Sequence, residues 1–220
     1  TIRKLDDPAI TPADLETLVE LELTNDGGAA VPFTASINGS NTIITVDPTS
    51  DFSSSTVYYL ELNPVEDVGN NATTATNITF TSADIIAPLF TFNPLDNATG
   101  VIETDDIIIT FNEAIRKLDD SPITAGDLLT LVELKLTNNA GANVPFTASI
   151  SGGNTIITIN PTSVLAGNTL YYVEINPVED GSNNAIVATS ITFTTGDTLP
   201  PSITFNPLNS ATNFSAVGNI

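Results

Sequence analysis

The chain contains no cysteine, histidine, methionine or tryptophan, and only five of its 220 residues are lysine or arginine. Without cysteine there is no disulfide and no thiolate metal site, so burial and at most an oxygen-ligated ion must hold the fold together. Without histidine or cysteine, the Ser-His-Asp and Cys-His arrangements of nucleophilic catalysis are excluded, as are imidazole and thiolate zinc sites. No apolar run approaches the roughly 18 residues of a membrane-spanning helix, so membrane insertion is not expected. The shortage of cations leaves 26 acidic residues almost unopposed, a net charge of −21. Such a surface repels nucleic acid and anionic lipid, so DNA and RNA are not expected as partners.

Repetition is what the sequence has in abundance. Residues 2–107 overlay residues 115–220 without a gap at a constant offset of 113 (115 − 2 = 113), and about 60% of the paired positions are identical. The period exceeds the roughly 20–50 residues of a solenoid unit and matches one independent domain. Residues 107–114, which lead into the second Ile-Arg-Lys-Leu-Asp-Asp at 115–120, have no counterpart ahead of the first at 2–7. Residue 1 is therefore expected to fall inside a domain. The expected organisation is an immunoglobulin-like repeat lacking its first two strands over 1–84, a complete repeat over 85–197, and the first strand region of a further repeat over 198–220. Short proline-bearing linkers at 84–88 and 197–201 predict a semi-rigid array. The phase of the cut predicts either a window on a longer polymer or a processed subunit.

Through residues 88–197, runs rich in Ile, Val, Thr, Phe and Tyr alternate with Asn, Gly, Pro, Asp and Ser clusters. That spacing predicts seven strands, at 89–93, 107–111, 131–137, 144–151, 155–160, 169–176 and 190–195. In Thr155-Ile-Ile-Thr-Ile-Asn160 apolar and polar positions largely alternate, so one face meets an opposite sheet and the other stays wet. Gly152 and Gly153 supply the positive backbone dihedrals of a hairpin turn. One segment departs from the strand pattern: Thr124, with Asp127 three residues on and leucines behind, predicts a short helix over 123–131, and Pro12 suits the first helical position in the earlier copy. The fold class is all-β: tandem immunoglobulin-like β-sandwiches of about seven strands each, with one short helix per repeat bridging the two sheets.

Four motifs follow in order at domain spacing: Asp84-Ile-Ile-Ala-Pro88, Asn93-Pro-Leu-Asp-Asn-Ala-Thr-Gly-Val101, Ile107-Ile-Ile-Thr-Phe-Asn-Glu-Ala114, and a late tyrosine strand followed by Glu179-Asp-Gly-Ser-Asn-Asn184. Together they resemble the bacterial Ig-like domains of the S-layer and adhesin type, found in tandem on bacterial surfaces. The first copy, Glu66-Asp-Val-Gly-Asn-Asn71, lies closer to that family's turn than the second, where Ser182 replaces the glycine. The resemblance implies an extracellular, cell-surface component that is a stalk, adhesin or S-layer module rather than a catalyst.

Carboxylates are the only sizeable reactive inventory. Two acids about 5–10 Å apart suffice for a glycosidase, but here the acids recur at matched positions of two near-identical repeats and no aromatic-rich cleft accompanies them. No enzyme is expected. Calcium takes oxygen ligands of the kind that concentrate at the presumed domain ends, which makes Asp84, Asp197, Asp67, Asp180 and Glu113 its candidate ligands. The alternative is that these acids form turns and are solvated, and no Asp-x-Asp-x-Asp-Gly loop is present. The doublets Asp6-Asp7 and Asp119-Asp120 beside Arg3-Lys4 and Arg116-Lys117 predict local salt-bridged turns. An incomplete first repeat exposes edges that strand addition relieves, and Ile203, Thr204, Phe205 and Asn206 are the sequence-matched donor. Two functions follow. One is a structural module of a fibre, stalk or adhesin shaft, partnered by copies of itself or by adjacent repeats in a linear array. The other is a glycan- or protein-binding adhesin module using inter-strand loops, chiefly 51–55 against 164–168.

Overall fold

Extended runs of β-branched and aromatic residues cannot stand alone in water, and here they pair into mainly antiparallel sheets whose apolar faces meet. The computed structural model describes residues 1–5, 9–198, 200–204 and 212, and the chain divides into two units, Thr1–Ile86 and Ala87–Ile220. The first holds β1 (Ile2–Arg3), α1 (Pro12–Leu18), β2 (Val19–Leu23), β3 (Phe33–Ile37), β4 (Ile44–Pro48), β5 (Val57–Leu62), β6 (Glu66–Asp67) and β7 (Thr76–Thr81). The second holds β8 (Phe90–Asn93), β9 (Ala98–Val101), β10 (Ile107–Phe111), α2 (Ala125–Leu131), β11 (Val132–Leu136), β12 (Phe146–Ser151), β13 (Ile156–Pro161), β14 (Leu170–Ile175) and β15 (Thr189–Thr195).

The second unit is a sandwich of two four-stranded sheets, ordered β12-β13-β10-β8 and β11-β14-β15-β9. Its inward positions are sealed: Ile107, Ile109, Phe111, Ile157, Ile159, Val173, Ile175 and Phe193 are all buried and form one cluster. Each such side chain, moved out of water, contributes about 1.5–3 kcal/mol before the entropy of ordering is set against it. The helix α2 connects the two sheets in chain order and drops Leu128 into the core with no exposed surface. Its start is held by Asp127, whose carboxylate accepts the N–H of Thr124 at 2.8 Å and also its hydroxyl.

All seven expected strands form within a residue or two of their predicted ends. The eighth, β9, was not foreseen. It runs parallel to β15, with Phe193 opposite Ala98, Asn97 N–H donating to Thr192 O at 2.7 Å and Gly196 N–H to Val101 O at 2.8 Å. Its sequence, Ala-Thr-Gly-Val, shows no apolar alternation, and Gly100 sits at φ 71°, so it reads as a turn.

The first unit repeats this plan only in part. Its sheets are β2-β5-β7 and β3-β4, with the small β1-β6 pair beside them. Subtracting the offset of 113 from β8, β9 and β10 gives positions before residue 1, so this unit has no counterparts of them within the sequence. The core shows the difference: Ile191 is 6% exposed, and its counterpart Ile78 is 57% exposed. Ile44, Val46, Leu60 and Leu62 are only half-buried where Ile157, Ile159, Val173 and Ile175 are fully buried.

Candidate functional site

The acidic turn after β14 is a densely hydrogen-bonded polar feature of the second unit. Asp180 has no exposed surface. One of its carboxylate oxygens accepts the N–H groups of Ser182 at 2.7 Å and Asn184 at 2.9 Å, and the other accepts the Asn184 side-chain amide at 2.8 Å. Burial works to raise its pKa, but the Asn184 side chain, the Asn184 and Ser182 N–H groups and the nearby Arg116 outweigh that and hold it below the usual carboxylate range. Glu113, half-buried just beyond β10, brings a carboxylate oxygen within 4.8 Å of one on Asp180.

Beside them, Arg116 exchanges backbone hydrogen bonds with Glu179 at 2.8 and 3.0 Å, and its Nε lies 3.1 Å from the buried Glu179 carboxylate. Its other end reaches Asn183. The first unit builds the same arrangement from Arg3, Glu66 and Asn70. There Asp67 accepts Gly69 N–H at 2.7 Å and Asn71 N–H at 3.0 Å, but it is exposed, and the counterpart of Glu113 would precede residue 1.

The other sequence candidates fall elsewhere. Within the first unit, Asp84 accepts the Ser54 hydroxyl at 2.8 Å and the Ile86 N–H at 3.1 Å. Gly167 stands at the position of Ser54 in the second repeat, Asp197 is exposed, and its neighbour Thr198 donates to Glu103 at 2.8 Å. Of the donor segment, Ile203 and Thr204 are exposed and belong to no strand, while Phe205 and Asn206 lie outside the described residues.

The salt-bridged turn needs correcting. Arg116 does pair with Asp120, but Asp119 accepts from Ser121, and Lys117 reaches past the doublet to Asp127 on α2 at 3.1 Å. The Asp127 carboxylate serves both partners at once, since a negative charge in the first turn also complements the positive end of the helix dipole. Asp6 and Asp7 lie outside the described residues, but Lys4 makes the equivalent pair with Asp14 at 2.8 Å.

These helix-start acids are strongly perturbed. Asp127 is lowered to about 2, first by the Thr124 hydroxyl, then by the Thr124 N–H and Lys117. Asp14 is lowered to about 2, first by Lys4, then by Thr11. A folded-state pKa below the unfolded value contributes stability that is complete above about 3.8 and is lost as pH falls towards 2. Carboxyl carbon titration by NMR is expected to place both midpoints near 2, and midpoints near 3.8 would show the pairs to be unformed in solution.

Residues 84–195, the stretch that carries the sandwich, the helix and the acidic turn, match the family of bacterial Ig-like domains. The chain belongs to that family. No curated protein matches the sequence. Solved structures similar to this bacterial Ig-like chain include PcoC, a methionine-rich copper resistance protein from Escherichia coli, at 15% identity over 50% of this chain and 99% of that one, with a TM-score of 0.38. CopC from Methylosinus trichosporium OB3b is similar at 11% identity over 52% and 99%, TM-score 0.38. A chimeric titin Z1Z2 carrying a decorin peptide is similar at 12% identity over 83% and 82%, TM-score 0.30. At these scores the likenesses carry no argument about what the bacterial Ig-like chain does. No helix among the described residues is long and apolar enough to cross a membrane.

Proposed function

We propose that the chain is a non-enzymatic structural repeat module of an extracellular, cell-surface fibre, stalk or adhesin shaft of the S-layer kind. Its partners are copies of itself or adjacent repeats in a linear array, completed by strand donation between repeats. The observation that carries this is the duplication of polar constellations as well as cores. Arg3-Glu66-Asn70 recurs as Arg116-Glu179-Asn183, and Lys4-Asp14 as Lys117-Asp127. A spacer tolerates such copying, because it needs each unit to fold and nothing more, whereas a dedicated site ordinarily sets one copy apart from its neighbours.

The oxygen donors of Glu113 and Asp180 suit a hard cation, and calcium is the ion proposed for them. Two carboxylates supply a minority of the six to eight oxygens calcium takes, so backbone carbonyls and water complete the shell.

One observation favours a second reading, a glycan- or protein-binding module. Phe52, in the loop that differs most between repeats, packs against Tyr58 with ring centroids 4.3 Å apart and lines an open groove of ≈ 230 Å³ with Pro32, Asp51 and Ser53.

Electron microscopy of the native assembly, with and without a calcium chelator, separates these. Continuous filaments with an axial repeat of one or two domains are the expected result, and softening on chelation would implicate the acidic turn. Isolated two-unit particles, folded without a partner, would overturn the filament and turn attention to the Phe52 loop.

A further inference from the structure

The two repeats keep one frame to the end of their last strands and then part. In the first unit the hydroxyl of Ser82, just past β7, donates to Ser53 O, and Ser55 N–H donates to Ala83 O at 3.2 Å. In the second, the Thr195 hydroxyl donates to Ala166 O at 2.6 Å, and Asn168 N–H donates to Gly196 O at 2.7 Å. These are the same bonds at the offset of 113, and they tie the last strand to the loop between β4 and β5, or between β13 and β14. One residue further along, the chemistry changes.

In the first unit, half-buried Ser54 turns its oxygen on the segment that follows β7. Its hydroxyl donates to Asp84 Oδ1 at 2.8 Å and accepts the N–H of Ile85 at 2.9 Å, and the same Asp84 oxygen accepts the N–H of Ile86 at 3.1 Å. The side chains of Ile85 and Ile86 are 67% and 54% exposed, so hydrogen bonds rather than their burial hold this segment down. In the second unit, Gly167 stands where Ser54 does, and Thr198 where Ile85 does. A Cβ on Gly167 would lie 2.9 Å from Thr198 Oγ1 and 3.1 Å from Gly196 O, so the missing side chain makes room for the threonine. The Thr198 hydroxyl donates to Glu103, whose backbone oxygen accepts Leu165 N–H from the same loop at 3.0 Å.

We infer that Ser54 with Ile85, and Gly167 with Thr198, are two versions of one latch, in which a single hydroxyl fastens the segment after the last strand to its own sandwich. The loop carries the hydroxyl in the first unit, and the segment carries it in the second. Each version suits its partner: a serine on the loop meets a backbone N–H, and a threonine on the segment needs an empty place on the loop. Part of the divergence of 51–55 from 164–168 therefore serves this fastening rather than the recognition of a ligand. The latch acts within each unit, so it holds or fails in a single chain whether or not that chain forms filaments.

Amide hydrogen exchange in the 220-residue chain reads both versions. Ser54→Ala is expected to speed exchange at Ile85 and Ile86 about tenfold, the effect of one lost hydrogen bond. The amides of β5 and β7 are expected to keep their rates, which shows the unit still folded. In the second unit, Gly167→Ser alone is expected to press on Thr198 and Gly196 and to speed exchange at Asn168, while Thr198→Ile alone removes the bond to Glu103. Gly167→Ser combined with Thr198→Ile installs the first repeat's pair. That chain is expected to recover slow exchange at Asn168 and to protect the amide of residue 198, a rescue that independent sites do not give. Unchanged rates at Ile85 in Ser54→Ala overturn the latch. So does a double variant whose loss equals the sum of the two single losses.

Discussion

Phe193→Ala is expected to destabilise the second unit by about 3–5 kcal/mol, the cost of emptying a large core site. The same truncation in the first unit, Phe80→Ala, is expected to cost less than half of that. Phe193 has no exposed surface and stacks on Tyr171 with ring centroids 5.5 Å apart. Phe80 makes the matching stack on Tyr58 at 5.7 Å and adds an edge contact to Phe52, so its ring contacts are no poorer. What differs is the lid: Phe193 lies under a closed sandwich with β9 paired to its strand, and Phe80 lies partly open to water. A side chain half-exposed in the folded state has less transfer free energy to lose, and water refills the space it leaves. Hydrogen exchange read separately over residues 1–86 and 87–198 gives both losses from one chain. Equal losses would show that the first unit is closed in solution.

Asp180→Ala is expected to be the largest polar effect, about 3 kcal/mol on the second unit. Removing the carboxylate strands two backbone N–H groups and the Asn184 amide where water reaches poorly, and buried donors without acceptors are expensive. Asp67→Ala removes the same kind of bonds from an exposed turn, where water substitutes, and the loss should be smaller. Asp180→Asn keeps an oxygen in place and should recover part of the stability, which separates shape from charge. The depressed pKa fixes the sign of the pH dependence. The charged form stabilises the second unit above the unfolded value near 4, and that contribution is lost as pH falls through the lower folded-state value. In the asparagine variant, acid unfolding monitored below pH 4 should flatten accordingly.

The sandwich was legible because its strands obey alternation: Ile157 and Ile159, or Tyr171 and Val173, announce an inward face two residues apart. The helix was legible from Thr124 and Asp127, whose spacing serves a local hydrogen bond. Features set by tertiary placement were not legible. Lysine 117 finds Asp127, ten residues away, because α2 folds back beside it, and nothing in the Arg-Lys-Leu-Asp-Asp string distinguishes that partner from the adjacent doublet. Likewise, no local pattern marks Thr137, a β-branched residue held at φ 68°, or Gly141, where a Cβ would lie 1.6 Å from the Leu136 carbonyl oxygen. At the candidate site, the sequence grouped Glu113 and Asp180 with Asp84, Asp197 and Asp67 as calcium ligands by residue type and place, with no means of telling which of them meet. The approach of Glu113 to Asp180 brings together residues 67 apart (180 − 113 = 67) beyond the ends of β10 and β14, which periodicity does not encode.

The parallel pairing of β9 with β15 matters once the molecule carries load. Tension applied through the two ends of the second unit pulls an early strand and the last strand in opposite directions along their common axis. Bonds such as Asn97 to Thr192 and Val101 to Gly196 are then strained together rather than opened one after another. Resistance in that geometry is shared, and rupture needs several hydrogen bonds to fail at once. An antiparallel edge pulled from one end peels a bond at a time. A sandwich closed in this way is expected to rupture at a higher force than one whose terminal strands pair antiparallel.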